Sequence, residues 1–306
     1  MHKICFFCGS KNITKDGHSG SYQRVICKDC GKRFVDKKRI KPEKLYEDYL
    51  VRKQSVSQLA EQYHLSTRTI LRYLDKVTIP ERTTRSREVI LLMDATYRGK
   101  QFGVMAFKDA LTKQVLWYKF LNKKETIKDY LEGIAYIEQH YVIRGGVCDG
   151  LKGLIKALDH YPIQYCQFHQ VKTIRTYLTQ HPESLAGKEL LALTYMMKDT
   201  DKESFIGAFD EWCIRHDAFL KERSKPNKKG KTHYIHKRLR SAYLSLKRNM
   251  PYLWVWYDHI ELGIPSTNNG IEAMFTDLKT HMRLHNGLNR EHQKTFIEEY
   301  FRRTHL

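Results

Sequence analysis

At 306 residues and 41% hydrophobic composition, the chain has room for one large domain with a sizeable core plus smaller modules. Its 54 Lys+Arg against 34 Asp+Glu give a formal charge of +20, which points to a polyanionic partner, nucleic acid being the usual one. No apolar stretch approaches the roughly 20 residues that span a bilayer, and residues 1–9 lack a signal-peptide core, so neither a membrane-spanning nor a secreted protein is expected.

The charge is uneven: residues 1–88 hold 20 Lys/Arg against 10 Asp/Glu, so this minority of the chain carries half the excess. Four of the seven cysteines form two pairs, Cys5-x-x-Cys8 and Cys27-x-x-Cys30, separated by 18 residues and each followed by glycine (Gly9, Gly31). That spacing predicts a Cys₄ structural zinc site of ribbon type over residues 1–40. A turn over Asp16–Gly20 and a strand over Tyr22–Ile26 complete a hairpin on a knuckle. A segment this short cannot build an adequate core, so zinc would supply its folding energy. A redox dithiol needs only one such pair. Lys28, Lys32, Arg33, Lys37, Lys38 and Arg39 around the second pair are expected to meet phosphates.

Residues 41–76 predict three short helices. Leu45, Tyr49 and Leu50 mark the first. Ser55 caps a second over residues 56–63, and Ser66 caps a third over 67–74. Val56, Leu59, Ala60, Leu65, Ile70, Leu71 and Leu74 are spaced to share a core. The pattern fits a helix-turn-helix whose last helix reads DNA through Arg68 and Arg72, one turn apart. A plain three-helix module for protein contacts is the alternative. Residues 77–88, with Pro80 and a polar run, read as a linker.

Residues 89–306 read as an α/β domain. Strands are expected over Val89–Tyr97, Phe102–Ala110 and Gln114–Leu121, a helix over Thr126–Tyr141, a strand over Val142–Cys148, a helix over Leu151–Leu158 and a strand over Ile163–Cys166, with a helix from Gln167. Three strands followed by helix, strand, helix, strand and helix is the order of a ribonuclease-H-like domain. Residues 182–262 read as mostly helical, with Trp254, Trp256 and Tyr257 as core of that region. Residues 225–231 read as a flexible basic loop able to follow a phosphate backbone. A helix carrying Glu272 follows Asn268.

Three carboxylates stand out in this frame. Asp94 ends the apolar run Val89–Met93, Asp149 follows the Gly145-Gly146-Val147-Cys148 stretch, and Glu272 opens a helix. Carboxylates at two strand ends and one helix can converge on a Mg²⁺ pair that serves phosphodiester chemistry. Asp94, on the central strand, is expected to bridge both ions, with Asp149 and Glu272 completing one each. Gly145 and Gly146 are expected to let backbone approach substrate closely. For Glu272 the alternative is a capping-box role, reaching back to Asn268 or Asn269. Asp159 and Asp277 are the rival acids. Lys279, seven residues after Glu272, and Arg283 are expected to hold DNA phosphates. Cys166 and His169 form only half a zinc site, and a sulfur–imidazole or DNA contact is the expected role. Cys148 and Cys213 read as core.

The motifs Met93-Asp94-Ala95-Thr96, Val147-Cys148-Asp149-Gly150, Cys166-Gln167-Phe168-His169 and Thr267-Asn268-Asn269-Gly270-Ile271-Glu272 together resemble those of the Mutator-like superfamily of transposases, which includes bacterial insertion-sequence enzymes. The resemblance spans about residues 89–290. It implies an Asp94–Asp149–Glu272 metal triad, a helical insertion over about 182–262, and a bacterial, cytoplasmic, nucleoid-associated protein. The activity it implies is binding of an element's terminal inverted repeats, then metal-dependent DNA cleavage and strand transfer, with the chain oligomeric on DNA. A DNA-binding regulator with an inactive ribonuclease-H-like domain, and a nuclease that cuts without joining, are the alternatives.

Overall fold

The alternation of apolar and polar residues resolves into two sheets and twelve α-helices among the residues described, which in this computed structural model are 4–20, 22–35, 40–50, 52–77, 86–99, 102–285 and 288–303. The chain divides into two compact units, Met1–Thr78 and Ile79–Leu306.

The first unit opens with strands β1 (Ile13–Ser19), β2 (Tyr22–Cys27) and β3 (Arg33–Val35), an antiparallel sheet in the order β1-β2-β3. Two details differ from the expected hairpin. Residues 16–19 are not the turn but part of β1, whose register shifts between Lys15 and His18 where Gly17 takes φ +74°. Glycine tolerates that conformation at no steric cost, so the extra residue is absorbed as a bulge and the turn moves on to Gly20. The third strand follows the second cysteine pair, pairing Val25 with Phe34. Lys37, Lys38 and Arg39 lie outside the described residues, as does most of the expected linker.

Three helices follow: α1 (Pro42–Leu50), α2 (Val56–Tyr63) and α3 (Thr67–Leu74). Ser55 and Gln58 form a reciprocal capping box on α2, and the Ser66 hydroxyl accepts from Thr69 N at the start of α3. His64, in the left-handed region at φ 54°, closes α2 and turns the chain into α3. Leu45, Leu50, Leu59, Ile70 and Leu74 are buried. Asp48 is also buried, 1% exposed, and accepts from the Tyr63 hydroxyl at 2.7 Å while Arg52 lies 3.3 Å away.

The second unit is built on a five-stranded mixed sheet. Its strands are β4 (Glu88–Arg98), β5 (Phe102–Asp109), β6 (Val115–Leu121), β7 (Val142–Cys148) and β8 (Ile163–Tyr165), in the order β6-β5-β4-β7-β8. The first three pair antiparallel; β7 and β8 continue parallel to β4. β4 is central and covered on both faces, which is why Val89–Met93 is apolar without alternation. Helix α4 (Ile127–Glu138), capped by Thr126 and Asp129, packs Tyr130, Ile134 and Ile137 against Leu91, Met93, Met105 and Phe107.

Helix α5 (Leu154–Ala157) is one turn rather than the eight residues expected, because Gly153 at φ +86° delays its start. Helix α6 (Gln167–Leu178) leads into α7 (Leu185–Met196), α8 (Lys202–Lys221), α9 (Lys237–Leu253), α10 (Val255–Asp258) and a 3₁₀ turn at Ile260–Leu262. These share a second core that includes Ile174, Leu190, Phe205, Trp212, Leu246 and Trp254. The basic segment between α8 and α9 is pinned rather than loose. An Arg223–Tyr234 bridge and Ser224–His233 hydrogen bonds close it, and the Asn227 side chain accepts from Lys229 N and Lys231 N. The chain then returns to the sheet as α11 (Asn269–Leu284) and α12 (Arg290–Arg303). Among the described residues, no helix is long and apolar enough to cross a membrane.

Candidate active site and cysteine cluster

Parallel pairing of β4 with β7 sets Leu92 against Val147. Asp94 and Asp149 each lie two residues beyond that pair, so they occupy matching positions where the two neighbouring strands end their pairing. Strands in a sheet run about 4.8 Å apart, which brings two like charges together where β7 ends and β4, Asp94 still paired with Ala106 of β5, runs on. Burial, with Asp149 the next cause, pushes the Asp94 carboxyl up from 3.8 to about 7; the Ala95 N–H, donating to Asp94 Oδ1 at 2.8 Å, opposes the rise. Asp149 Oδ1 accepts from Leu151 N at 3.3 Å.

Glu272 reaches the same place from α11. Three contacts dock the start of that helix. The buried Asn268 side chain donates Nδ2 to the carbonyl oxygen of Met93 at 2.8 Å, one residue before Asp94. The Asn268 N–H donates to Cys166 Sγ at 3.2 Å. From below, Lys108 on β5, only 5% exposed, donates Nζ to Gly270 O at 2.8 Å; burial pushes its ammonium down. At Gly270 the helix packs closely on the sheet: a Cβ there would come within 2.9 Å of the Leu92 Cδ1 methyl, which would have to turn aside.

Glu272 is the fourth residue of α11, and no capping contact engages its carboxylate. Instead its Oε1 lies 3.4 Å from His169 Nδ1, and both atoms are buried without a well-directed hydrogen bond. The ligand atoms of Cys166, His169 and Glu272 all lie within 4.8 Å of one another. The expected sulfur–imidazole neighbours thus have Glu272 as a third member. Cys166 accepts from the α11 N-cap backbone, and His169 faces Glu272, because α6 and α11 begin side by side: Gln167 N donates to Ser266 O at 3.0 Å.

The rival acids are engaged elsewhere. Asp159 is exposed beside His160, and Asp277 accepts from the Tyr300 hydroxyl at 2.8 Å. The glycines before Asp149 serve packing rather than substrate. A Cβ at Gly145 would meet Ile264 and Pro162, and one at Gly146 would meet Leu91 O at 2.9 Å. Cys148 is fully buried in the sheet core, and Cys213 packs against the helical core. Lys279 and Arg283 are exposed on α11 and line a cleft with Thr96–Arg98 of β4 and the following Gly99.

Sequence reasoning missed three participants. Lys108 carried a signal, as the one cation in β5, directly after the apolar run Phe102–Phe107. Asn268 stood in the Thr267–Glu272 motif without a role. Glu125, whose carboxyl is raised by burial with Asp149 contributing, is held by the Tyr97 hydroxyl beside the acidic group.

In the first unit the four cysteines converge: their sulfurs lie within 4.8 Å of one another, with Cys5–Cys30 at 3.7 Å and Cys8–Cys27 at 3.6 Å. Sulfurs at the corners of a tetrahedron with ~2.3 Å zinc bonds stand about 3.8 Å apart, so the cluster fits one zinc ion. The crowded thiols split in opposite directions: the backbone N–H of Cys30 pulls Cys27 down to about 7, while, against the Ser10 backbone, desolvation and the neighbouring thiols push Cys8 up to about 12, so the cluster's case for metal rests on its geometry.

Compared with known proteins, the chain matches no family model and no curated protein.

Proposed function

We propose that the chain is a DNA transposase whose second unit is a ribonuclease-H-like catalytic domain and whose first unit, a zinc ribbon with a helix-turn-helix, recognises the ends of its element. What carries the reading is the meeting of Asp94 and Asp149, at matching positions on adjacent parallel strands, with Glu272, brought in by the Asn268–Met93 bond. A strand order of 3-2-1-4-5, the first three antiparallel and the rest parallel, supports the same fold.

The acidic group fits Mg²⁺. It is a set of hard oxygen donors in which burial, and after it the like charges, hold Asp94 partly protonated near neutrality, and in which a buried Glu272 oxygen lacks a directed hydrogen bond. Bound between Asp94, Asp149 and Glu272, a Mg²⁺ pair would supply a more acidic attacking hydroxyl and charge neutralisation at the leaving oxygen. The chain's own residues do the positioning. Asn268 and Lys108 fix the α11 start against β4 and β5, His169 faces the Glu272 carboxylate, and exposed Lys279 and Arg283 are available to phosphates. In the first unit, Arg68 and Arg72 are exposed on α3, opposite buried Ile70 and Leu74, as a reading helix requires.

The test is purified full-length protein with DNA carrying the inverted repeats that flank its own reading frame. Magnesium-dependent nicking at the repeat ends followed by joining to a second duplex is the expected result. Nicking without joining would make it a nuclease; end binding without nicking would make it a regulator.

A further inference from the structure

Beside the carboxylates, two clefts of about 240 and 360 Å³ adjoin and share Tyr97, Gly99 and Phe102. The smaller is floored by apolar side chains, among them Leu278, Met282 and Ile297, and is lined by Arg98, Lys279 and Arg283. The larger adds Lys123 and Lys124. Among the described residues no carboxylate pairs with Arg98, Lys279 or Arg283, in a unit where many other cations are paired. Arg98 Nη1 is buried with no hydrogen-bond partner. Three unneutralised cations around an apolar floor call for an anion that also carries an apolar face.

Position narrows the ligand. Arg98 shares its strand face with Asp94, four residues along, or roughly 13 Å at ~3.3 Å per residue. Lys279 lies seven residues beyond Glu272, about 10 Å along α11. Both distances correspond to some three to four stacked nucleotides at ~3.4 Å each. The small cleft falls below the roughly 300–1,000 Å³ of sites for drug-sized molecules, a size suited to a single splayed base. A duplex would bring phosphates to the cations but keep its bases stacked and paired, leaving the floor unused.

We propose that these adjoining clefts bind unpaired DNA next to the phosphodiester being cut, seating a base against Tyr97 over the apolar floor and phosphates on Arg98, Lys279 and Arg283. The inference rests on the transposase reading for its setting, but its test does not depend on cleavage. Aromatic platforms flanked by cations are the common physical solution for single strands. Tyr97 suits the role because it is partly exposed and its hydroxyl is anchored by Glu125; Phe102, buried and braced edge-on by Phe120, backs it from beneath.

The experiment uses the full chain, without added magnesium, and an oligothymidylate of about 12 nucleotides, within the range of such sites, carrying 5-bromodeoxyuridine. Ultraviolet cross-links mapped by mass spectrometry are expected at Tyr97. The Lys279→Gln/Arg283→Gln double variant alters exposed residues only. It is expected to bind the strand about 10-fold more weakly at physiological salt and to flatten the salt slope by about 1.4, at ~0.7 for each phosphate no longer neutralised. Cross-links confined to residues 1–78 or 221–240, with binding unchanged in the double variant, would overturn the proposal. If that variant also nicks end DNA normally, the transposase reading survives and the track does not. Cross-links at Tyr97 in a protein that never nicks DNA leave the track standing and sink the transposase reading.

Discussion

Asn268 donates its side-chain amide to the carbonyl oxygen of Met93 at 2.8 Å, across 175 residues of chain. The bond joins the residue before α11 to the residue before Asp94, so the helix bearing one carboxylate is indexed to the strand bearing another. Asn268→Ala removes the donor and leaves a buried carbonyl short of a partner, at a cost of about 1–3 kcal/mol. The melting temperature should fall by roughly 2–4 °C per kcal/mol in a unit of this size. Nicking should fall further than stability accounts for, with a weaker apparent affinity for Mg²⁺, because Glu272 loses its register with Asp94. A variant that melts earlier yet cleaves with unchanged magnesium dependence would reduce the bond to simple packing.

Glu272→Gln separates chemistry from capping. Loss of a helix cap costs about 0.5–2 kcal/mol, but the α11 N-cap is Asn268, and Glu272 sits at the fourth helical position facing His169. The variant should therefore melt as wild type does, bind end DNA as tightly, and fail to nick it. Near-normal nicking would remove Glu272 from the acidic site and leave Glu125, the other carboxylate held nearby, as the third acid.

The cysteine cluster should carry about one zinc per chain, by the four-thiolate rule. Cys27→Ser should lose the metal and the β1–β3 sheet with it, since Cys5 and Cys27 supply, with Val25, the buried apolar side chains of that small sheet. Tryptophan fluorescence should not change on chelation, because all four tryptophans lie in the second unit. Zinc-free protein whose residues 4–35 remain protected from proteolysis would show that the ribbon folds without metal.

What could be read from the sequence was whatever is local. The run Val89–Met93 announced a central strand, Ser55, Ser66 and Thr126 announced helix starts, and two CxxC pairs announced a cluster. The order of elements also placed Asp149 just past the end of its strand, whereas Asp94, expected at a strand end, lies inside β4, which runs on to Arg98 paired with β5. What could not be read was set by partners far along the chain. Lys108 looks misplaced in an apolar strand until Gly270 O lies above it, 162 residues later. Gly145 and Gly146 suggested an opening for substrate, whereas the packing of Pro162, Ile264 and Leu91 accounts for them. The bulge at Gly17 was read as a turn because glycine serves both, and only the pairing of Ile13 with Cys27 and Ser19 with Tyr22 distinguishes them.

Arg68 and Arg72 both project from the exposed face of α3. If Arg72 reads a guanine, Arg72→Ala should weaken binding to the element's end by roughly 1–3 kcal/mol and relax preference at one base pair. A phosphate contact would instead weaken all duplexes alike and lower the salt slope by about 1. Fluorescence anisotropy against end and scrambled duplexes separates the two, and tight, selective binding by the Arg68→Ala/Arg72→Ala protein would exclude α3 as the reader.

Asp94 offers the pH test. Burial and the neighbouring Asp149 raise its carboxyl from 3.8 to about 7, so between these values the folded protein holds a proton that the unfolded chain has released. Stability must then fall as pH rises through that window. At about 1.36 kcal/mol per pH unit, this one group limits the loss to at most ~4 kcal/mol. In magnesium-free buffer, Asp94→Asn should be more stable than wild type at pH 7, and the advantage should vanish near pH 4. Comparing the two proteins reports Asp94 together with the carboxylates whose charges act on it, Asp149, Glu272 and Glu125, and cancels the groups elsewhere in the unit. Added Mg²⁺ should raise the melting temperature of wild type at pH 7 and do little for the variant, since the ion neutralises the charge that burial penalises. Urea unfolding followed by tryptophan fluorescence reads the second unit directly. An Asp94→Asn protein no more stable than wild type at pH 7, or equally stabilised by magnesium, would mean that Asp94 is neither strained by its neighbours nor a metal ligand.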